Sequence, residues 1–253
     1  MPTHQTSPAP RPRKRGLPAV ALVALLAVVA TLALPSLLRA APVPDHSRVL
    51  RWTPYTPNTP RYVFGSAIPC ADVHSVTFRD TTDGIPAVAW DASDAGDGTV
   101  WAWVTDAGNG RFDLVIAAEG GVRLPKDSDN LFRGYSHAVS IDFGGCVDTS
   151  AVTDMSCMFV DCESLTALDL RSFDTAAVTG MRNMFRNCTA LTALDLSSFD
   201  TARVASLGMM FYNCRSLRAV TVSGAFVIPD GASTEFMFSG CPLNSTADFT
   251  PVD

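Results

Sequence analysis

The chain has 253 residues, 47% of them apolar and 17% charged, an ordinary globular composition that excludes collagen, a coiled coil and wholesale disorder. Its net charge of -6 averages two unlike parts: residues 1–41 hold five of the 19 cations and no acid, so residues 42–253 carry 14 cations, all 25 acids and a net charge of -11. Such an acidic body argues against nucleic acid as a partner.

The first element is apolar. Arg11, Arg13, Lys14 and Arg15 precede 22 residues, Leu17 to Leu38, without an ionisable side chain. As a helix this run would span roughly 33 Å, enough for the hydrocarbon core of a bilayer. The expectation is a basic cytoplasmic tail (1–16) and a transmembrane signal anchor (17–38). The protein would then be single-pass in the cell membrane with residues 39–253 extracellular. The competing reading is a signal peptide cut after Leu38-Arg39-Ala40, which would leave a secreted protein. Residues 39–61, rich in proline, read as a semi-rigid stalk.

Residues 62–124 follow as short apolar runs, Val73–Phe78, Ala87–Trp90, Val100–Val104 and Phe112–Ala117, separated by Asp83-Gly84, Asp97-Gly98 and Gly108-Asn109-Gly110. Strands with tight turns are expected, forming a β-rich N-terminal cap for whatever comes next. Trp101 and Trp103 share one strand face, where core packing is the common use and a carbohydrate-stacking platform the rarer one. Asp91, Asp94 and Asp97 lack the order and the closing Glu of a calcium loop, so a polar hairpin turn is expected.

From residue 125 the sequence repeats. Val152-Thr153-Asp154-Met155-Ser156-Cys157-Met158-Phe159 is matched 26 residues later by Val178 to Phe185, and again by Val204 to Phe211. The match continues through Cys162, Cys188 and Cys214, then Leu165, Leu191 and Leu217. Weaker copies flank these three, at Leu131-Phe132 and at Met237-Phe238, each needing one inserted residue. Two periods alternate in each unit. Val178, Met181, Met184 and Phe185 have the spacing of a helix stripe, while Leu194-Asp195-Leu196 alternates as a strand. Stacked units would share one core. The expected fold class is therefore α/β, a leucine-rich-repeat solenoid with one short parallel strand and one short helix per coil over residues 125–253.

The run Met184-Phe185-Arg186-Asn187-Cys188-Thr189-Ala190-Leu191 through Leu194-Asp195-Leu196-Ser197-Ser198-Phe199-Asp200-Thr201 resembles the BspA-like leucine-rich-repeat surface proteins of bacteria. The lead-in at Trp101-Ala102-Trp103, Gly120-Gly121 and Leu131-Phe132 is similar too. The resemblance covers about residues 97–243. It implies an exported surface protein used for adhesion or protein binding, with no catalytic residue to carry over.

Seven cysteines cannot all pair internally. Cys162, Cys188, Cys214 and Cys241 share one repeat position and should form a ladder inside the stack, as thiols or as adjacent-coil disulfides. Four histidines without ligand spacing, and the absence of a nucleophile elbow or phosphate loop, leave no motif for an enzyme, a metal or a cofactor. The candidate binding face is the outward side of the strands: Thr166, Asp169, Thr192, Asp195, Arg218 and Thr221. Asp169 and Asp195 at strand spacing should repel, a strain that a basic patch on a partner would relieve. A face kept charged for solubility is the alternative. The reading is a surface adhesion or protein-binding module for host extracellular or bacterial surface proteins. Its rival is a structural envelope protein that associates with itself.

Overall fold

Three of the runs expected as strands, Val73–Phe78, Val100–Val104 and Phe112–Ala117, fall on strands in the computed structural model, which describes residues 48–51, 56–57, 59 and 61–252. The run Ala87–Trp90 is mostly a turn that enters a strand only at Trp90. The strands are β1 (Val73–Arg79), β2 (Trp90–Asp91), β3 (Trp101–Gly108), β4 (Arg111–Ala117) and β5 (Val122–Arg123). β3 and β4 are a hairpin whose turn, Gly108-Asn109-Gly110, has positive φ at all three residues (84°, 55° and 75°). Gly and Asn are the residues that accept this conformation at little cost. β4 then lies parallel to β1.

Short strands recur through the repeats: β6 (Ser140–Asp142), β7 (Val147–Asp148), β8 (Ala167–Leu168), β9 (Ala193–Leu196), β10 (Ala219–Val222) and β11 (Thr250–Pro251). One sheet runs β2-β3-β4-β1-β6-β8, so the N-terminal strands and the first repeats share a sheet through the parallel β1–β6 pair. A second, β11-β10-β9, serves the last repeats, and β5 pairs with β7. The first sheet ends and the second begins between β8 and β9, where Asp169 and Asp195 follow one another. The other half of each repeat has no such break. Parallel bridges join Asp127, Asp154, Gly180, Ser206 and Ser233 in one line.

The helix expected in each repeat is absent, and with it the α/β leucine-rich-repeat class: no α-helix occurs among the described residues. The apolar stripe is real, since Val178, Met181, Met184 and Phe185 are all fully buried. Its backbone, however, is a chain of turns. Positive φ recurs at Asn130, Cys157, Asn183, Met209 and Phe236, and four residues further on at Gly134, Asp161, Asn187, Asn213 and Gly240. A left-handed residue every fourth position ends any right-handed helix before it completes a turn.

The hydrogen bonds explain what replaces it. The N–H groups of Met181, Asn183, Phe185 and Asn187 donate to the carbonyls of Ser206, Gly208, Met210 and Tyr212 on the next rung, at 2.9–3.2 Å. Those of Met184, Arg186 and Cys188 turn back three residues, to Met181, Asn183 and Phe185. Half the donors are thus spent between rungs, whereas an α-helix would spend all of them within one. Across this stretch, residues 181–187, the inter-rung N–H groups all point toward the C-terminal end of the stack, whereas just before it the sense reverses, Thr179 N–H donating back to Thr153 O and Ala205 N–H to Thr179 O.

Side chains repeat the arrangement. Phe132, Phe159, Phe185, Phe211 and Phe238 stack with centroids 5.6–5.8 Å apart, the inner pairs parallel within 3–6°. Thr149 and Thr175 are buried, and each hydroxyl donates to the carbonyl of Asp174 or Asp200, one rung on, while accepting the N–H of the same residue. Asn213 donates its amide to Asn187, which donates to Asp161.

The two ends of the stack differ. At the first rung Phe64 and Phe78 meet Phe132 edge-on. Leu50 is fully buried and bridges to Ser93, while Val49 bridges to Arg123, so part of the stretch read as a stalk lies against the body. At the last rung β11 covers β10, and Phe249 packs on Phe211 and Phe238. Among the described residues, that closes the strand half and leaves the turn half open. The expected transmembrane segment, 17–38, and the basic tail lie outside the described residues. Among those described, no helix is long and apolar enough to cross a membrane.

Candidate functional site

The six face residues fall into two columns. Thr166, Thr192 and Arg218, all exposed, stand just before the strands. The Arg218 N–H donates to Thr192 O, which holds these two at rung spacing, while the Thr166 N–H donates to Val139 O on the rung before, across the break from Thr192. Asp169, Asp195 and Thr221 form the second. Thr221 pairs in register with Asp195 on one side and with Thr250 on the other. The structure brings Thr192, Asp195, Arg218 and Thr221 together on β9 and β10, while Thr166 and Asp169 flank β8 across the break between the sheets.

Two features of this face escape a reading by repeat alone. The second column begins earlier than the three strong copies, because Asp142 is exposed on β6 and paired in register with Thr77 on β1. The alignment of Ile141-Asp142-Phe143 with Leu168-Asp169-Leu170 already carried that signal. The second is Arg171, whose Nε and Nη2 donate to the two carboxylate oxygens of Asp169 at 2.9 and 2.6 Å. The expected repulsion between Asp169 and Asp195 is therefore answered within the chain, and no basic partner is needed for that purpose. The bidentate hydrogen bonds from Arg171, and then its charge, draw the Asp169 carboxyl down to about 2. The hydrogen bonds and charge of Asp169 raise the Arg171 pKa in turn, with a smaller contribution from the charge of Asp195.

Each aspartate here does a local job as well. Asp142, Asp169 and Asp195 accept the N–H two residues on, from Gly144, Arg171 and Ser197. Such Asx turns end each strand and start the loop behind it. The face is thus built from residues whose backbones are fixed, with hydroxyls, carboxylates and guanidinium groups of both signs at its surface.

Other sequence candidates resolve into packing. Trp103 is buried with the Arg79 guanidinium 5.8 Å above its ring, while Trp101 is half-buried. An open stacking platform needs both rings bare. Both carboxylate oxygens of Asp91 are taken by the loop's own donors, Ser93 and Gly98, and Asp97 holds Thr99, the pattern of a polar turn. Among the described residues no group of three acidic, His or Cys side chains is placed to hold a metal ion.

The cysteine column stands as thiols. Cys162, Cys188 and Cys214 are buried, and their Sγ atoms lie 3.0–3.2 Å from the carbonyls of Phe132, Phe159 and Phe185. Burial is the largest influence on all three and pushes their pKa up, that of Cys214 to about 12. Cys241 ends the column half-buried, and Cys70, Cys146 and Cys157 lie off it.

Comparison with known proteins gives one match. Residues 126–248, just under half of the chain, match the model of a family described as Mycoplasma protein of unknown function, DUF285. The matched segment begins at the first rung and ends at the cap over the last. No curated protein and no solved structure matches.

Proposed function

We propose that this chain is a non-enzymatic cell-surface module, akin to the BspA-like proteins, that binds other proteins through the outward side of its strands. Host extracellular proteins or bacterial surface proteins are its partners in this reading. The observation that carries it is the double column Thr166–Thr192–Arg218 and Asp169–Asp195–Thr221, with Asp142 and Arg171 extending it. On β9 and β10 the polar side chains stand at rung spacing on paired strands, and those around β8 continue the face across the sheet break. Affinity would come from many modest contacts along the columns, as is usual for repeat proteins. Surface location is supported by the basic cluster and the 22 uncharged residues that follow it in the sequence. The mixed charge of the face suits a partner surface of mixed charge, not a purely basic one.

The test is capture of host extracellular and bacterial surface proteins on the immobilised full chain, run beside a chain carrying Asp169→Ser and Asp195→Ser. Selective capture that falls about thirtyfold in the double variant is expected, since each of the two lost polar contacts is worth about 1 kcal/mol. Equal recovery of every captured protein by both chains would remove the face from the proposal. Concentration-dependent association of the chain in light scattering, with nothing captured, would instead support a structural envelope protein.

A further inference from the structure

The rungs show what each turn half needs on its C-terminal side, and among the described residues the last rung lacks it. The N–H groups of Leu207, Met209, Phe211 and Asn213 donate to Ser233, Glu235, Met237 and Ser239 at 2.7–3.0 Å. One rung on, the corresponding groups are those of Thr234, Phe236, Phe238 and Gly240. Their neighbours Met237, Ser239 and Cys241 make the usual local bonds back to Thr234, Phe236 and Phe238, so the rung has its full turn geometry. Among the described residues these four N–H groups have no acceptor. Thr234, Phe236 and Gly240 are exposed, and Phe236, at 55%, is a large apolar side chain left open to water. A cleft of about 550 Å³ lies along the same edge, lined by Ile228, Thr234, Phe236, Phe238, Asn244 and Thr246 among others.

From Thr234 to Gly240 the row is four donors with no acceptor among them, the carbonyl position that faces the next rung lying just before it, and such a row restricts what can sit there. A second copy offering the same edge would set N–H against N–H. Its opposite end, where carbonyls would face outward, begins with a rung already packed under Phe64 and Phe78. An extended strand fits poorly, because its edge alternates N–H and C=O and would bring donors against donors. What fits is a segment with its carbonyls all on one side, which is the turn conformation of the rungs themselves. We infer that the open edge is a second binding site, which takes one further rung from another protein: a polypeptide segment of the same turn-repeat type. It would dock carbonyl-first on Thr234, Phe236, Phe238 and Gly240, with an apolar side chain over Phe236. This is strand addition carried over to a turn ladder. The site is separate from the lateral face and does not depend on it.

A synthetic peptide of residues 178–203, one complete rung, is the probe, kept reduced and titrated into the full chain with amide hydrogen exchange as the readout. The amides of 234, 236, 238 and 240 should exchange freely without peptide and slow by about tenfold with it, those of 207, 209, 211 and 213 being slow throughout. Two variants test the chemistry. Asn already occupies the column of Phe236 at Asn130 and Asn183, so Phe236→Asn and Phe236→Asp both suit its positive φ of 54°. Docking by backbone carbonyls requires Asp to weaken peptide binding several-fold more than Asn, because its carboxylate faces the incoming oxygens. The Asp169→Ser, Asp195→Ser chain should bind the peptide normally. Unchanged exchange at the four amides at the highest soluble peptide concentration would overturn the inference, as would equal protection by a scrambled peptide or equal losses for Asn and Asp.

Discussion

Arg171 occupies the place that Ser197 takes one rung later, and this single difference changes the charge of the outward face. The Asp169 carboxyl, held down to about 2 by the Arg171 hydrogen bonds, compares with an ordinary carboxyl near 4. Its contribution to stability is therefore fully present above about pH 4 and is lost as pH falls through about 2. Asp169 is 53% exposed, so solvent screening keeps that contribution below about 1 kcal/mol. An NMR titration should find Asp169 protonating near 2 in the native chain, and Arg171→Gln should return it toward the ordinary value. Alternation in Leu168-Asp169-Leu170 was enough to read which way Asp169 points. It could not show Arg171 folding back on it, because a contact between residues two apart depends on the turn after the strand and not on the period of the repeat.

At the scale of the element, apolar spacing and backbone conformation part company. Met181, Met184 and Phe185 are placed for a helix stripe, and they are buried as a stripe would be, yet the backbone beneath them is a run of turns. Burial period records only which side chains face the core, and alternating right- and left-handed residues can satisfy it as a helix does. The discriminating signal was in the polar positions. Asn183 and Asn187 lie four apart inside the supposed helix, with Gly134, Asp161, Asn213 and Gly240 in the second column, a choice of residues suited to positive φ. Substitution separates the two conformations. In a helix Ala is better than Gly by about 1 kcal/mol. At Asn187, with φ of 63°, the order should reverse, Asn187→Gly leaving a chain about 1 kcal/mol more stable than Asn187→Ala by urea denaturation. Both should lie below the native chain, having lost the amide bonds to Asp161 and from Asn213.

At the scale of the whole molecule, the repeat length and the partners of each repeated side chain were legible, because a fixed step places Phe on Phe and Cys on Cys whatever the backbone between them does. The division of the strands into two sheets was not legible, since the copies on either side of the break have nearly the same sequence. The cysteine column sets an alkaline limit on this core. In the unfolded chain its thiols ionise near 8.5, while in the folded chain burial holds them protonated well above that. Their contribution to stability is complete below about pH 8.5 and declines as pH rises toward the folded values, because the unfolded state then releases protons that the folded state keeps. Denaturation midpoints should fall steadily above pH 8.5, and Cys188→Ala should flatten that fall while lowering stability at neutral pH. Native alkylation followed by mass spectrometry should label Cys157 and Cys241 ahead of Cys162, Cys188 and Cys214.

The inner copies are 26 residues apart, and the steps to the outer rungs 27, as the left-handed columns from Gly134 to Gly240 show. Excising residues 178–203 would set Phe159 directly on Phe211, Cys162 beneath Cys214 and Thr149 beside the same kind of neighbour it has now. A gene that drops or duplicates this one block would shorten or lengthen the protein's reach by a single layer, about 4.8 Å, as a carpenter's rule changes length by whole divisions. The terminal layers, each one residue out of step, are excluded from that exchange and remain the fixed ends of the rule.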